Sequence, residues 1–286
     1  MDFPDVIDLH MHTTVSDGTD TPEEIIAKVE KAGIGLFSVT DHDAVSGSAQ
    51  ILELLMSRPS PKFITGVEFS CKDEKGKYHI LGYAYDPAAE PILSTVETAH
   101  ALRIKKTKER LEFLQTTFGI VFDQADVEAL FRNPNPGKPH IARLMMQYGY
   151  ASSIKDAMDN YLNKKKFGSA YTLPEDAITA ILKSGGVPVL AHPIFGDGDQ
   201  LILGEEMDER LRYLIDFGLE GVEAYYSGFS HKLIGQMLSF AEKYDLYITA
   251  GSDYHGKNKL VKLADTNLEN AAEAAPGFMR FWERVK

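Results

Sequence analysis

Residues 6–18, VIDLHMHTTVSDG, end an apolar run in two histidines two positions apart. In a strand, residues i and i+2 share a face, so His10 and His12 direct their imidazoles the same way. Asp17, in the Ser-Asp-Gly turn that follows, places a carboxylate nearby. The next helix is signalled by Thr21 as N-cap, Pro22 at the first helical position and Gly33 past the end. The same alternation repeats along the chain. Val6–His12, Gly35–Thr40, Lys62–Ser70, Tyr78–Tyr85, Val187–Leu190, Gly221–Tyr225 and Leu246–Ala250 read as strands. Helical patterns follow several of them, around 48–56, 174–186, 205–217 and 232–244. Repeated strand–helix units predict an α/β fold with parallel strands and right-handed crossovers. Six or seven units suit a closed, irregular barrel better than an open sheet.

The middle of the chain breaks this pattern. Residues 97–118, 124–131, 141–148 and 154–162 read as helices, with a turn-rich joint at 133–137 (NPNPG). Segment 99–171 is therefore expected to be a small helical insertion in a barrel made of 1–98 and 172–286. The insertion is also electrically distinct. Net charge is −12, yet residues 100–170 hold 12 Lys/Arg against 7 Asp/Glu. The overall balance argues against a nucleic-acid coat, including DNA, and against binding an anionic membrane. No apolar run approaches the ~18–20 residues of a membrane span. The N-terminus has no basic, apolar leader pattern, and a lone Cys71 excludes an internal disulfide; both fit a reducing cytoplasm. Cys71 is expected in the core.

The histidines are unusual in their placement. Beyond His10 and His12, His42 (in Asp41-His42-Asp43), His79, His192 and His255 fall in or just after expected strands. Glu68 and Asp253 do so too, and Asp253 with His255 repeats the i, i+2 spacing. A single strand-end histidine is usually structural, but this joint pattern is the sequence form of a barrel active site. Six histidines and three carboxylates exceed the about four ligands of one zinc. With a bridging carboxylate they suit two or three Zn, Mn or Fe ions, and donors without thiolate do not choose among these metals. Asp8 and Asp41 are expected to orient ligand imidazoles.

DLHMHTTVSDG, TDHD, GVEFS, the His79 strand, AHP and GSDYHG resemble, in order, the motifs of the PHP (polymerase and histidinol phosphatase) phosphoesterases. The resemblance runs from about residue 6 to 256. It implies a distorted (β/α)7 barrel with a trinuclear metal centre. His10, His12, Glu68 and Asp253 would bind one ion. Glu68 would bridge to a second ion held by His79 and His192, and Asp17, His42 and His255 would hold a third. The insert, KPHIARLMMQYGYASS and YLNKKKFGSAY, resembles that of a bacterial branch acting as nucleoside 3′,5′-bisphosphate phosphatases and short-RNA 5′–3′ exoribonucleases. There it covers the metal site and supplies cationic contacts. Lys138 stands where arginine is more usual, and lysine meets phosphate as a point charge without a bidentate fork.

The expected chemistry is hydrolysis of a phosphate monoester of a small nucleotide, chiefly the 5′-phosphate of a nucleoside 3′,5′-bisphosphate. A hydroxide shared by the ions on Glu68 would attack in line, since metal binding lowers the pKa of water from ~15.7 to about 7. Glu68, Asp253 and His255 are the expected catalytic residues, with His255 or the third ion stabilising the leaving oxygen. Lys138, His140 and Arg143, close on one helix, are expected to contact a second phosphate or the sugar. Alternative readings are an exoribonuclease on short oligoribonucleotides, a histidinol-phosphate phosphatase and a non-catalytic PHP module. The intact donor set argues against the last.

Overall fold

Thr21 starts the first helix through a reciprocal cap: its hydroxyl accepts the Glu24 amide N–H, and the Glu24 carboxylate accepts the Thr21 amide N–H. Gly33, at φ 70°, stops that helix in the left-handed region. The computed structural model describes residues 4–56, 58, 60–133, 136–167, 171–196, 200–268 and 275–286. Among them the elements run β1 (Ile7–Asp8), α1 (Pro22–Ala32), β2 (Leu36–Phe37), α2 (Ser46–Leu55), β3 (Lys62–Phe63), β4 (Gly66–Lys72) and β5 (Lys77–Tyr83). Then come α3 (Glu90–Phe118), α4 (Gln124–Arg132), α5 (Lys138–Gln147) and α6 (Ile154–Ala157), which passes into a π-helical turn, Met158–Leu162. The chain continues with α7 (Pro174–Lys183), β6 (Val187–Leu190), α8 (Gly204–Ile215), β7 (Gly221–Tyr226), α9 (His231–Lys243), β8 (Tyr247–Gly251) and α10 (Pro276–Val285).

The chain divides into two units, Met1–Val96 with Thr172–Lys286, and Glu97–Tyr171. In the first, β1, β2 and β3 pair in parallel, and β4 to β8 form a sheet in chain order. Backbone hydrogen bonds link these sheets on both flanks. Leu9 N–H donates to Ala250 O (2.9 Å) and Asp253 N–H to His10 O (2.8 Å); on the other side, Asp43 N–H donates to Glu68 O (2.9 Å). The strand pairing departs from the all-parallel expectation at β5, which is antiparallel to both β4 and β6. The reason is the connection. Residues 73–76 form a tight turn in which Asp73 Oδ1 accepts the Lys75 and Gly76 amides, and a turn that short reverses the chain. The expected 62–70 strand is also two strands, and the first strand pairs regularly over only Ile7–Asp8.

Helices α7, α9 and α10 pack on β5/β6, β7 and β8. They close a core that includes Tyr83, Leu81, Ile181, Val189, Val222, Met237 and Phe281. Tyr83 is fully buried and tolerates it because its hydroxyl donates to Leu9 O at 2.9 Å. A second core sets Met11, Phe37 and Val39 against Ile25, Val29 and Ile51 of α1 and α2. Cys71 is buried, its thiol pushed well up by burial, as a core residue rather than a nucleophile should be. The second unit has its own core, with Leu114, Leu130, Ile141, Met145 and Leu162.

Candidate metal centre

Glu68, on β4 and 1% exposed, stands among five imidazoles. Its Oε1 lies 2.8 Å from His79 Nδ1 and 3.2 Å from His192 Nε2. Its Oε2 lies 3.1 Å from His42 Nδ1, 3.2 Å from His12 Nε2 and 3.4 Å from His10 Nε2. Asp253 provides a second focus: its Oδ1 is 3.3 Å from His255 Nδ1, 3.4 Å from His12 Nε2 and 3.6 Å from His10 Nε2. Asp17 Oδ1 is 3.3 Å from His255 Nε2. All nine donors chosen from the sequence thus meet in one cluster. Among the described residues, three groups keep their donor atoms within 4.8 Å: His12/Asp17/His42/His255, His10/His12/Asp253 and His42/Glu68/His79.

These spacings fit divalent ions. Two donors about 2.1 Å from one tetrahedral ion stand about 3.4 Å apart. The Nε2 atoms of His10 and His12 are buried and make no hydrogen bond, although carboxylate oxygens stand just beyond them. Buried nitrogens without partners are costly unless something fills the space between donors. A cation does so.

The surrounding residues orient this set. Glu223, fully buried on β7, accepts His10 Nδ1–H at 2.9 Å and the His192 backbone N–H at 2.8 Å. That fixes the His10 tautomer with Nε2 free toward the cluster. Gly251 makes room for the pair, since a Cβ there would lie 2.2 Å from His10 Cβ and 2.3 Å from Glu223 Oε1. Asp41 reaches an imidazole only through Ser16, whose hydroxyl lies 3.4 Å from His12 Nδ1, and Asp8 bonds the His10 backbone N–H (3.3 Å) rather than its ring. Asp8 accepts the Ser252 amide (3.0 Å) and hydroxyl (2.6 Å) and the Ala264 amide (2.8 Å). Asp41 accepts the Thr13 amide (2.8 Å) and hydroxyl (2.7 Å) and the Ser16 hydroxyl (2.7 Å). Both tie together the backbones that carry ligands, because their short side chains reach the adjacent loop before any ring. His192 and Asp253 sit at φ 27° and 59°. Such strain in non-glycine residues is held by the surrounding bonds and is characteristic of working sites.

Electrostatics in the cluster are opposed. Burial alone would raise the Glu68 carboxyl, but His42, His79 and His10 more than offset it and hold it well below the usual range. Burial likewise opposes, and His10, His12 and Lys259 outweigh, in keeping Asp253 ionised. Burial would lower His12, yet Asp253, Glu68 and Asp17 raise it to about 9. His10 is raised well above its usual value against burial by Glu223, Glu68 and Asp253. For His42 and His255 burial wins and favours the neutral ring. The cluster's anions are thus compensated in part by protons favoured on His10 and His12, a charge that metal cations can replace.

The PHP domain family matches residues 8–248, which span all nine donors but Asp253 and His255. The chain belongs to the PHP domain family. It is 28% identical over 263 residues to a 3′,5′-nucleoside bisphosphate phosphatase from Chromobacterium violaceum, covering 87% of each. It is 29% identical over 259 residues to a 5′-3′ exoribonuclease from Escherichia coli, covering 87% of this chain and 85% of that one. A solved Bifidobacterium adolescentis structure described as a metal-dependent phosphoesterase superposes with a TM-score of 0.76 at 30% identity, covering 90% of each chain. This PHP chain is accordingly a metal-dependent phosphoesterase, a hydrolase of phosphoester bonds. No described helix is long and apolar enough to cross a membrane.

The expected substrate contacts lie in the other unit, on α5. There Lys138 Nζ donates to Asn163 Oδ1 (2.6 Å), His140 Nε2 pairs with Asn133 Nδ2 (3.1 Å), and Arg143 is exposed. Three residues beside the PHP centre were not singled out in the sequence. Glu223 is a lone acid in the otherwise apolar strand GVEAYY, which is a usable signal. Tyr226 ends the same strand, and Lys259 is one of several loop lysines with no pattern to mark it.

Proposed function

We propose that the chain removes the 5′-phosphate of nucleoside 3′,5′-bisphosphates, using two to three Mn, Fe or Zn ions held by the nine donors. The observation that carries the reading is Glu68, whose two oxygens face separate imidazole sets and are placed to be shared between ions. Bound ions would neutralise the phosphate and lower the pKa of a water to near neutrality. The chain's own part is to hold the donors. Glu68 joins two sets, Glu223 fixes His10, and Tyr226 holds the outer oxygen of Asp253. His255 is kept neutral by burial and acts as a ligand.

A nucleoside 3′-phosphate leaving group is supported by the aromatic ring of Phe195, 37% exposed. Its centroid lies 6.3 Å from His192, 5.9 Å from Tyr226 and 5.8 Å from Phe229, which puts an aromatic group beside the donors on which a planar base would stack. Lys138, His140 and Arg143 are assigned to the second phosphate or the sugar of the substrate. The likeness to the Escherichia coli enzyme favours a second reading, exonucleolysis of short RNA from the 5′ end. Phosphate release from Mn-reconstituted protein tests both. Nucleoside 3′,5′-bisphosphates are expected to give the highest kcat/KM. Faster stepwise release of nucleotides from short RNAs would favour the second reading, and a preference for histidinol phosphate would overturn both.

A further inference from the structure

Lys259 stands where a residue that served the ions alone would do harm. Its Nζ is 2.6 Å from Asp253 Oδ2, the oxygen turned away from the imidazoles. Tyr226 Oη donates to the same oxygen at 2.8 Å. The lysine and its acceptor differ in exposure: the Lys259 side chain is 41% exposed, whereas that of Asp253 is 5% exposed. The backbone before Lys259 is anchored, with Asn258 Nδ2 donating to Asp17 O (2.6 Å) and the Lys257 amide to the Thr19 hydroxyl (2.9 Å). A fixed base and an exposed, flexible stem give the ammonium freedom to move while its root stays beside the centre.

An ammonium this close to donors for divalent cations repels the cations those donors would bind. As a mere support for Asp253 it is also redundant, because the Tyr226 hydroxyl satisfies the same oxygen without a charge. Its position is explained by a further anion. A phosphate ester brought to the ions adds negative charge beside Asp253. When the lysine turns to it, Tyr226 remains on Oδ2 and no buried carboxylate oxygen is left unpaired. Lysine suits such a move better than arginine, being a compact charge on a four-carbon stem with three rotatable donors.

We propose that Lys259 is a substrate contact: its ammonium leaves Asp253 Oδ2 to bind an oxygen of the phosphate being hydrolysed. This rests on the phosphoesterase reading of the same centre. The test compares full-length wild type, Lys259→Met and Lys259→Arg after identical Mn loading. Three quantities are measured: metal per chain, kcat and KM on a nucleoside 3′,5′-bisphosphate, and the Kd of inorganic phosphate. Lys259→Met is expected to keep its metal, or bind it more tightly with the repelling charge gone. Its kcat/KM should fall about 10- to 150-fold, the range for a lost charge-assisted bond. Phosphate affinity should fall with it, and Lys259→Arg should recover most of both. Loss of metal together with activity in Lys259→Met would overturn the proposal by assigning Lys259 to Asp253. Full metal with unchanged kcat/KM and phosphate affinity would overturn it too. A wild type inactive on every bisphosphate would refute the substrate reading instead, and the phosphate Kd would still decide the role of Lys259.

Discussion

Glu223→Gln tests whether the metal centre depends on a residue that touches none of the expected ions. The carboxylate accepts two bonds, from His10 Nδ1–H and from the His192 backbone N–H, and is fully buried. A glutamine has one oxygen and one NH2, so one of those two donors must then face a donor. If the NH2 faces His10, Nδ1 must accept, the proton moves to Nε2, and the nitrogen aimed at Glu68 and Asp253 is blocked. If the NH2 faces His192, the backbone that carries a second donor is displaced. Either way one charge-assisted bond is lost in a site closed to water, worth about 1.5–3 kcal/mol. At ~1.4 kcal/mol per decade this is a drop in metal affinity of about 10- to 150-fold, in the range typical of such outer partners. Competition of the metal-free variant against a chelator of known affinity measures it. Affinity within about twofold of wild type would refute the reasoning, because the tautomer would then not be set by Glu223.

Gly251→Ala places a methyl 2.2 Å from His10 Cβ, and is expected to lower both metal content and Tm, measured by elemental analysis and thermal melting. Overpacking of this kind costs about 1–3 kcal/mol. Metal uptake is expected to release protons. His12, raised to about 9, and His10, raised well above its usual value, carry protons at pH 7 in the metal-free protein and must lose them to ligate. Affinity should therefore rise with pH between 7 and 9, and the calorimetric enthalpy of metal binding should vary with the ionisation enthalpy of the buffer. Arg143→Ala is expected to cut kcat/KM for a nucleoside 3′,5′-bisphosphate by about 10- to 150-fold. An activated monophosphate ester should be spared, and equal losses on both substrates would remove Arg143 from recognition of the second phosphate.

The donors were legible because all but Asp17 lie in or just after an expected strand, and the i, i+2 pairs His10/His12 and Asp253/His255 are readable without knowing how distant strands pair. Their convergence on Glu68 required only that the strand ends come together, which the alternating pattern implied. Residues that act through a ligand were harder to see. Asp8 and Asp41 sit at the site but reach it through backbone amides and, for Asp41, the Ser16 hydroxyl beside His12, because sequence spacing does not tell whether a short carboxylate reaches a ring or the nearer Ser252 and Thr13 amides. Glu223 acts on His10 across 213 positions of sequence, a relation no local pattern carries. The antiparallel β5 was written in the Asp73–Gly76 turn, but the strand–helix rhythm around it outweighed that short signal.

One cluster of nine donors is expected to hold more than one ion. Elemental analysis of protein loaded with Mn or Zn and freed of excess metal measures this directly, with Glu68→Gln alongside. The expected result is two to three ions per wild-type chain, and a joint loss of metal and turnover in the variant. At most one tightly held ion in the wild type, or near-normal metal and activity in Glu68→Gln, would contradict it.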